Sequence, residues 1–92
     1  MSNTPVDSPL IRVLVVDDHV MVRDGISALL NRQPDMEVIG EAANGAEAIA
    51  QFRQLSPDVT LMDVQMPGVG GVEAIIEIRR LAAHARILVL TT

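Results

Sequence analysis

Asp17 and Asp18 stand side by side directly after the apolar run Val13 to Val16, and a third carboxylate, Asp63, closes the stretch "VTLMD". No basic residue adjoins the pair. Two carboxylates about 5 Å apart repel by about 3 kcal/mol at an effective dielectric near 20, so such a pair calls for a relieving charge. If Asp63 converges on them, three oxygen ligand groups without a His or Cys set suit a hard divalent cation that retains waters, Mg2+ more than Zn2+. A surface turn, or Asp18 capping a helix, would account for the adjacent acids taken alone. The third carboxylate favours the metal. Phosphate on such a cation beside an aspartate leads to phosphoryl transfer onto the carboxylate, giving an aspartyl-phosphate. Asp63 is the candidate nucleophile, because it stands alone at its strand end before a loop that can enclose a ligand. Thr91 could donate its hydroxyl to a phosphoryl oxygen, or be an ordinary strand-end threonine.

These residues need elements that bring them together. Ile11 to Val16 reads as a strand buried on both faces. Val22, Ile26, Leu29 and Leu30 follow at helical spacing, with Pro34 beyond them. Met36 to Ala42 reads as a second strand. Asn44 is a plausible N-cap for a helix carrying Ile49, Phe52 and Leu55, which Pro57 ends. Val59 to Asp63 is a third strand. "MPGVGG" leads to a helix with Val72, Ile75, Ile76 and Leu81, and "ILVLTT" closes the chain as a fourth strand.

This alternation predicts an α/β fold with a parallel sheet between helical layers. Glu37 and Glu41 suit the second strand to an edge. Right-handed crossovers then give the order 2-1-3-4. The order reverses between the first and third strands, where a crevice forms outside their carboxyl ends. Neighbouring strands lie about 4.8 Å apart, so Asp17, Asp18 and Asp63 meet there. Two defects remain. The fourth strand is a bare aliphatic edge, and the face holding a single helix is under-covered. A further strand and more helix after Thr92 would repair both, so the chain reads as a truncated domain.

Composition narrows the function classes. The net charge of −5 argues against this chain gripping nucleic acid by itself. All seven basic residues are arginine. There is no cysteine, hence no disulfide or thiolate chemistry. No apolar run approaches the roughly 20 residues of a membrane span, and "MSNTPVDSPL" is unlike a signal peptide. A cytoplasmic protein is expected, with residues 1–10 as a disordered leader and 11–92 as one domain.

Together these residues resemble the receiver domain of two-component response regulators, most closely the NarL/FixJ-type transcriptional regulators. "VDDHVMVRDG", "DVTLMDVQMPGVGG" and "ILVLTT" carry the resemblance, which spans residues 11–92. It implies a three-layer flavodoxin-like fold, here without the fifth strand and last two helices. It also implies that Asp63 is the phosphoacceptor, fed by a sensor histidine kinase. Asp18, Asp63 and the backbone carbonyl of Gln65 would hold Mg2+, Asp17 would act largely through water, and Thr91 would be the switch hydroxyl. Such a domain is a signalling module, not an enzyme, beyond its own Mg2+-dependent phosphorylation and dephosphorylation. DNA would be bound only through a C-terminal helix-turn-helix domain absent here. The family's phosphate-pairing lysine has no counterpart in a chain without lysine, so phosphorylation is expected to be impaired. Gly70 stands where many relatives carry an acid.

One rival is a self-associating chain without phosphotransfer, a homodimer or higher oligomer formed by pairing or swapping the exposed fourth strand. The other is a Mg2+-dependent phosphatase with an aspartyl nucleophile, which "DDHV" fits poorly. His19 is expected to serve the loop rather than ligate metal, since no His or Cys accompanies it. Arg23 could approach the acid site from the first helix, although an exposed helical arginine is the simpler reading; His84 reads as solvated surface, the Gly68, Gly70 and Gly71 cluster as a turn, and Met62 and Met66 as core or loop filler.

Overall fold

The computed structural model describes residues 10–66, 68 and 70–90. The leader expected over residues 1–10 lies almost wholly outside them. The apolar run before the acid pair forms β1 (Ile11–Val16), whose Val13 to Val16 are all buried. After it come α1 (Val20–Asn31), β2 (Met36–Ala42), α2 (Gly45–Leu55), β3 (Val59–Asp63), α3 (Gly71–Leu81) and β4 (Arg86–Leu90). The sheet is parallel and its order is β2-β1-β3-β4, as the charge pattern predicts.

β-Branched and leucine side chains make β1 and β3 central, and the pleat sends alternate residues to opposite faces. Leu14, Val16 and Met62 join Ala48 and Phe52 of α2 and Ala74 and Ile78 of α3 in the main core. Leu14, Met62 and Ile78 are fully buried, each contributing about 1.5–3 kcal/mol relative to exposure. α2 sits close over β2. A Cβ on Gly40 would come within 2.7 Å of both Gln51 and Leu55 side chains. Ile39 is an extra residue in β2, since Val13 pairs with Val38 and Leu14 with Gly40.

Helix ends follow local chemistry. Asn44 caps α2 as expected, its Oδ1 accepting from Glu47 N at 2.8 Å. Ser56 closes that helix in the left-handed region, at φ 47. The Arg12 guanidinium reaches across from β1 and donates to the carbonyls of Leu55 (2.6 Å) and Ser56 (2.8 Å). Asp18 does not cap α1. His19 occupies the cap position, without a side-chain cap bond.

Both sequence-level defects are visible. Leu88 and Val89 of β4 are 60% and 49% exposed. On the α1 face a shallow apolar pocket of about 160 Å3 opens between Leu30, Val13, Val59, Leu61 and Leu88. β4 begins one residue earlier than predicted, at Arg86, and Thr91 and Thr92 lie outside the described residues. No described helix is long and apolar enough to cross a membrane.

Candidate metal centre

β1 and β3 are neighbours, with Val16 opposite Met62, so the next residues along the two chains are Asp17 and Asp63. Both are nearly inaccessible, at 2% and 4% exposure. Each is held by a backbone N–H two residues on: Asp17 Oδ1 accepts from His19 N at 2.8 Å, and Asp63 Oδ1 from Gln65 N at 2.9 Å. Asp17 N also donates to Ala42 O of β2 at 3.1 Å. The acid pair is therefore tied to three strands.

One ligand atom from each of Asp17, Asp18, His19 and Asp63 lies within 4.8 Å of the other three. At such separations each carboxylate pair repels by about 3 kcal/mol at an effective dielectric near 20. A divalent cation reverses the sign of that energy. The donor set fits one: Asp18 Oδ1 is shielded from solvent and has no hydrogen-bond partner. Such an atom costs free energy unless a positive charge meets it, and His19 Nδ1, 3.0 Å away, is its one cationic neighbour among the described residues.

Of the site residues named from sequence, the structure brings Asp17, Asp18 and Asp63 together. Gln65 follows in the loop, exposed, with its N–H on Asp63. Thr91 lies outside the described residues. Met62 and Met66 are buried core, and His84 is exposed, as expected.

One reading gains detail and one is corrected. His19 lies at the cluster itself, its Nδ1 3.1 Å from Asp17 Oδ1 and 3.0 Å from Asp18 Oδ1. The hydrogen bond to Asp17, then the charge of Asp18, hold its imidazole above the ordinary 6.5. Arg23 is not a free surface arginine. Its side chain is only 16% exposed, with Nη1 donating to Asp17 O (2.8 Å) and Nε to Glu41 Oε1 (3.1 Å). Ser27, one turn further along α1, donates its hydroxyl to Glu41 Oε2 at 3.1 Å. Glu41, read as edge protection, is thus also the anchor of α1. The spacing of Arg23 and Ser27 on one helical face was the available signal.

The loop after Asp63 is fixed by a close approach. A Cβ on Gly71 would lie 2.5 Å from both the Asp63 carbonyl oxygen and Val64 Cα. Only glycine lets α3 start that close to the end of β3.

A parallel sheet of this order with buried acids at its switch point defines an open α/β domain with a candidate cation site. Residues 13–92 match the response regulator receiver domain, and the chain belongs to that family. Over 83 residues it is 52% identical to the transcriptional regulatory protein LiaR of Bacillus subtilis, covering 90% of this chain and 39% of LiaR. Among solved structures it resembles a LuxR-family two-component response regulator from Aurantimonas sp. SI85-9A1, with TM-score 0.83 and 42% identity over 87% of this chain and 57% of that one. It also resembles the isolated receiver domain of RcsB from Salmonella enterica serovar Typhimurium, solved with the phosphomimetic BeF3−. There the TM-score is 0.80 and the identity 30%, over 89% and 62% of the two chains. The chain is a receiver domain of the LuxR/NarL type, with the flavodoxin-like fold.

Proposed function

We propose that Asp63 accepts a phosphoryl group from the phosphohistidine of a sensor histidine kinase. The observation that carries this is a buried Asp63 carboxylate, held by Gln65 N–H and set within 4.8 Å of Asp17, Asp18 and His19 ligand atoms. The free oxygen of Asp63 attacks phosphorus, the donor P–N bond breaks, and the departing imidazole takes up a proton. An acyl phosphate is left on Asp63. Asp18, Asp63 and the Gln65 carbonyl would hold Mg2+, with Asp17 acting through water. When bound, that cation neutralises charge on the phosphoryl oxygens and on the three carboxylates. Asp17 and its Arg23 contact keep the acidic loop oriented, and the Gln65 N–H fixes which Asp63 oxygen is presented. Thr91 is proposed as the hydroxyl that follows the phosphoryl group. With no lysine among these 92 residues, slow acceptance is proposed for this chain.

The chain spans only 39% of LiaR, so control of transcription and DNA binding are proposed for a longer protein carrying this receiver. Cytoplasmic placement is proposed on the same footing. Intact mass after incubation with Mg2+ and a small-molecule phosphodonor tests the reading. Gain of one phosphoryl group, absent in Asp63→Asn, supports it. No gain in a folded sample overturns it for this chain.

A second reading rests on the β4 edge, where Leu88 and Val89 stand exposed beside the apolar pocket. A second copy pairing along β4 would cover both. Light scattering across a concentration series decides this, and a monomer throughout removes it.

A further inference from the structure

Positive charge is gathered at one end of the sheet. Six of the seven arginines stand where helices finish or strands begin: Arg12 in β1, Arg32 after α1, Arg53 in α2, Arg79 and Arg80 in α3, and Arg86 opening β4. Asp17, Asp18 and Asp63 lie at the other end. Only two basic side chains are near them. Arg23 is committed to Asp17 O and Glu41, and His19 to Asp17 and Asp18. A phosphoryl group on Asp63 would therefore meet no uncommitted arginine of its own copy. Arg79, His84 and Arg86 meanwhile line a groove beside β4 that holds no carboxylate. Neither arginine has an ion-pair partner among the described residues.

β4 is an edge strand that runs between the two ends. Charge complementarity selects a second copy as its occupant, because antiparallel pairing lays the basic end of each copy beside the acidic end of the other. A twofold axis normal to the sheet makes that pairing and keeps both α1 faces on one side. Pairing the whole of Arg86–Leu90 sends the axis through Leu88, so Arg86 of one copy stands opposite Leu90 of the other. Leu90 is itself the β3 neighbour of Asp63. The faces agree. Leu88 and Leu61 line the α1-face pocket, so by alternation Arg86, Leu90 and Asp63 point to that face. Opposite residues of an antiparallel pair share a face. Two strand spacings, about 10 Å between Cα atoms, then separate Arg86 of the second copy from Asp63. An extended arginine and an aspartyl phosphate, reaching from opposite sides, close that gap.

We propose that two copies join along β4 and that Arg86 of each serves the phosphoryl group on Asp63 of the other. The proposal rests on both readings given above, and it adds a residue that one copy contributes to the site of the next. The guanidinium donates hydrogen bonds to the phosphoryl oxygens and keeps its protons. With acetyl phosphate as donor, an Asp63 oxygen attacks phosphorus, the donor's P–O bond breaks, and acetate leaves with the bonding electrons.

Mixing variants tests this on the whole chain, with Mg2+ and acetyl phosphate, at a concentration where light scattering shows a dimer. Intact mass identifies which chain gains the phosphoryl group. Arg86→Gln alone should accept about 10-fold more slowly than the unsubstituted chain, the effect of one charge-assisted hydrogen bond made in the transition state. Arg86→Lys should keep more of the rate than Arg86→Gln. Excess Asp63→Asn keeps Arg86 but has no acceptor, and it should restore the rate of the Arg86→Gln chain. Excess of the double variant, Asp63→Asn with Arg86→Gln, should not. Equal rates for Arg86→Gln and the unsubstituted chain, or no restoration by Asp63→Asn, overturn the proposal, as does a monomer at every concentration. If a dimer forms but the unsubstituted chain gains no phosphoryl group, the phosphoacceptor reading has failed and the proposal falls with it.

Discussion

Arg23 Nη1 donates a 2.8 Å hydrogen bond to the carbonyl oxygen of Asp17, while its Nε holds Glu41 at 3.1 Å. One guanidinium thus joins α1, the edge strand β2 and the acidic loop. Arg23→Met keeps most of the packing volume but strands Glu41 and frees the Asp17 carbonyl. Hydrogen bonds to charged groups contribute about 1.5–3 kcal/mol, so a loss of roughly that size is expected in urea unfolding. Mg2+ affinity should fall as well, because the Asp17–Asp18 backbone is no longer held. If stability falls while Mg2+ affinity holds, Arg23 serves the fold and not the site.

His19 supplies a pH dependence of known sign. Its imidazole is held above the ordinary 6.5, chiefly by the hydrogen bond to Asp17 and then by the charge of Asp18. A raised value means that the folded, metal-free protein binds the proton more tightly than the unfolded chain. The stabilisation is fully present below the unfolded value and is lost as pH rises through the folded one. NMR titration should place the His19 midpoint above the ordinary 6.5, and Asp17→Asn should lower it. A His19 midpoint at or below the ordinary value removes the ion pair from the account. Adding Mg2+ should lower the midpoint too, since cation and proton compete for the same carboxylates.

The elements were legible because their ends are punctuated by local chemistry. Pro34, Asn44 and Pro57 bracket β2 and α2, and the acids of β2 mark the edge that fixes the sheet order. Asp17, Asp18 and Asp63 were legible because strand ends at a switch point must converge. Contacts made by long side chains across the fold were not. Arg12 reaches the end of α2 over a separation of 43 residues, and no local pattern announces that. Arg23 looks like any helical arginine until Glu41 is placed beside it. The extra residue Ile39 carries no sequence mark of its own.

Thr60 lies on β3 between Leu14 and Ile87, 1% exposed, with a hydroxyl that has no hydrogen-bond partner. Burying an unsatisfied hydroxyl costs about 1–3 kcal/mol. Thr60→Val replaces it with a methyl group of similar shape, on a strand that favours β-branched residues. Stability should rise by about 1 kcal/mol, or about 4–8 °C in Tm for a domain of this size. A drop in Tm would mean the hydroxyl is satisfied in solution, for instance by a buried water.

Two glycine-to-alanine changes should move in opposite directions. Gly25 lies inside α1, and a Cβ there meets nothing within 4 Å. Gly25→Ala should therefore stabilise by about 0.5–1 kcal/mol, the intrinsic helix difference. At Gly71 the same methyl group would be 2.5 Å from the Asp63 carbonyl oxygen and Val64 Cα, both backbone atoms. Neither can rotate away, so α3 must retreat or the end of β3 must shift. Overpacking of this kind costs about 1–3 kcal/mol. It should also weaken Mg2+ binding and phosphoryl acceptance, because the displaced backbone carries Asp63. Thermal unfolding of both variants, with Mg2+ titration of Gly71→Ala, checks the pair. A Gly71→Ala protein with unchanged Tm and Mg2+ affinity would show that α3 does not fix the position of Asp63.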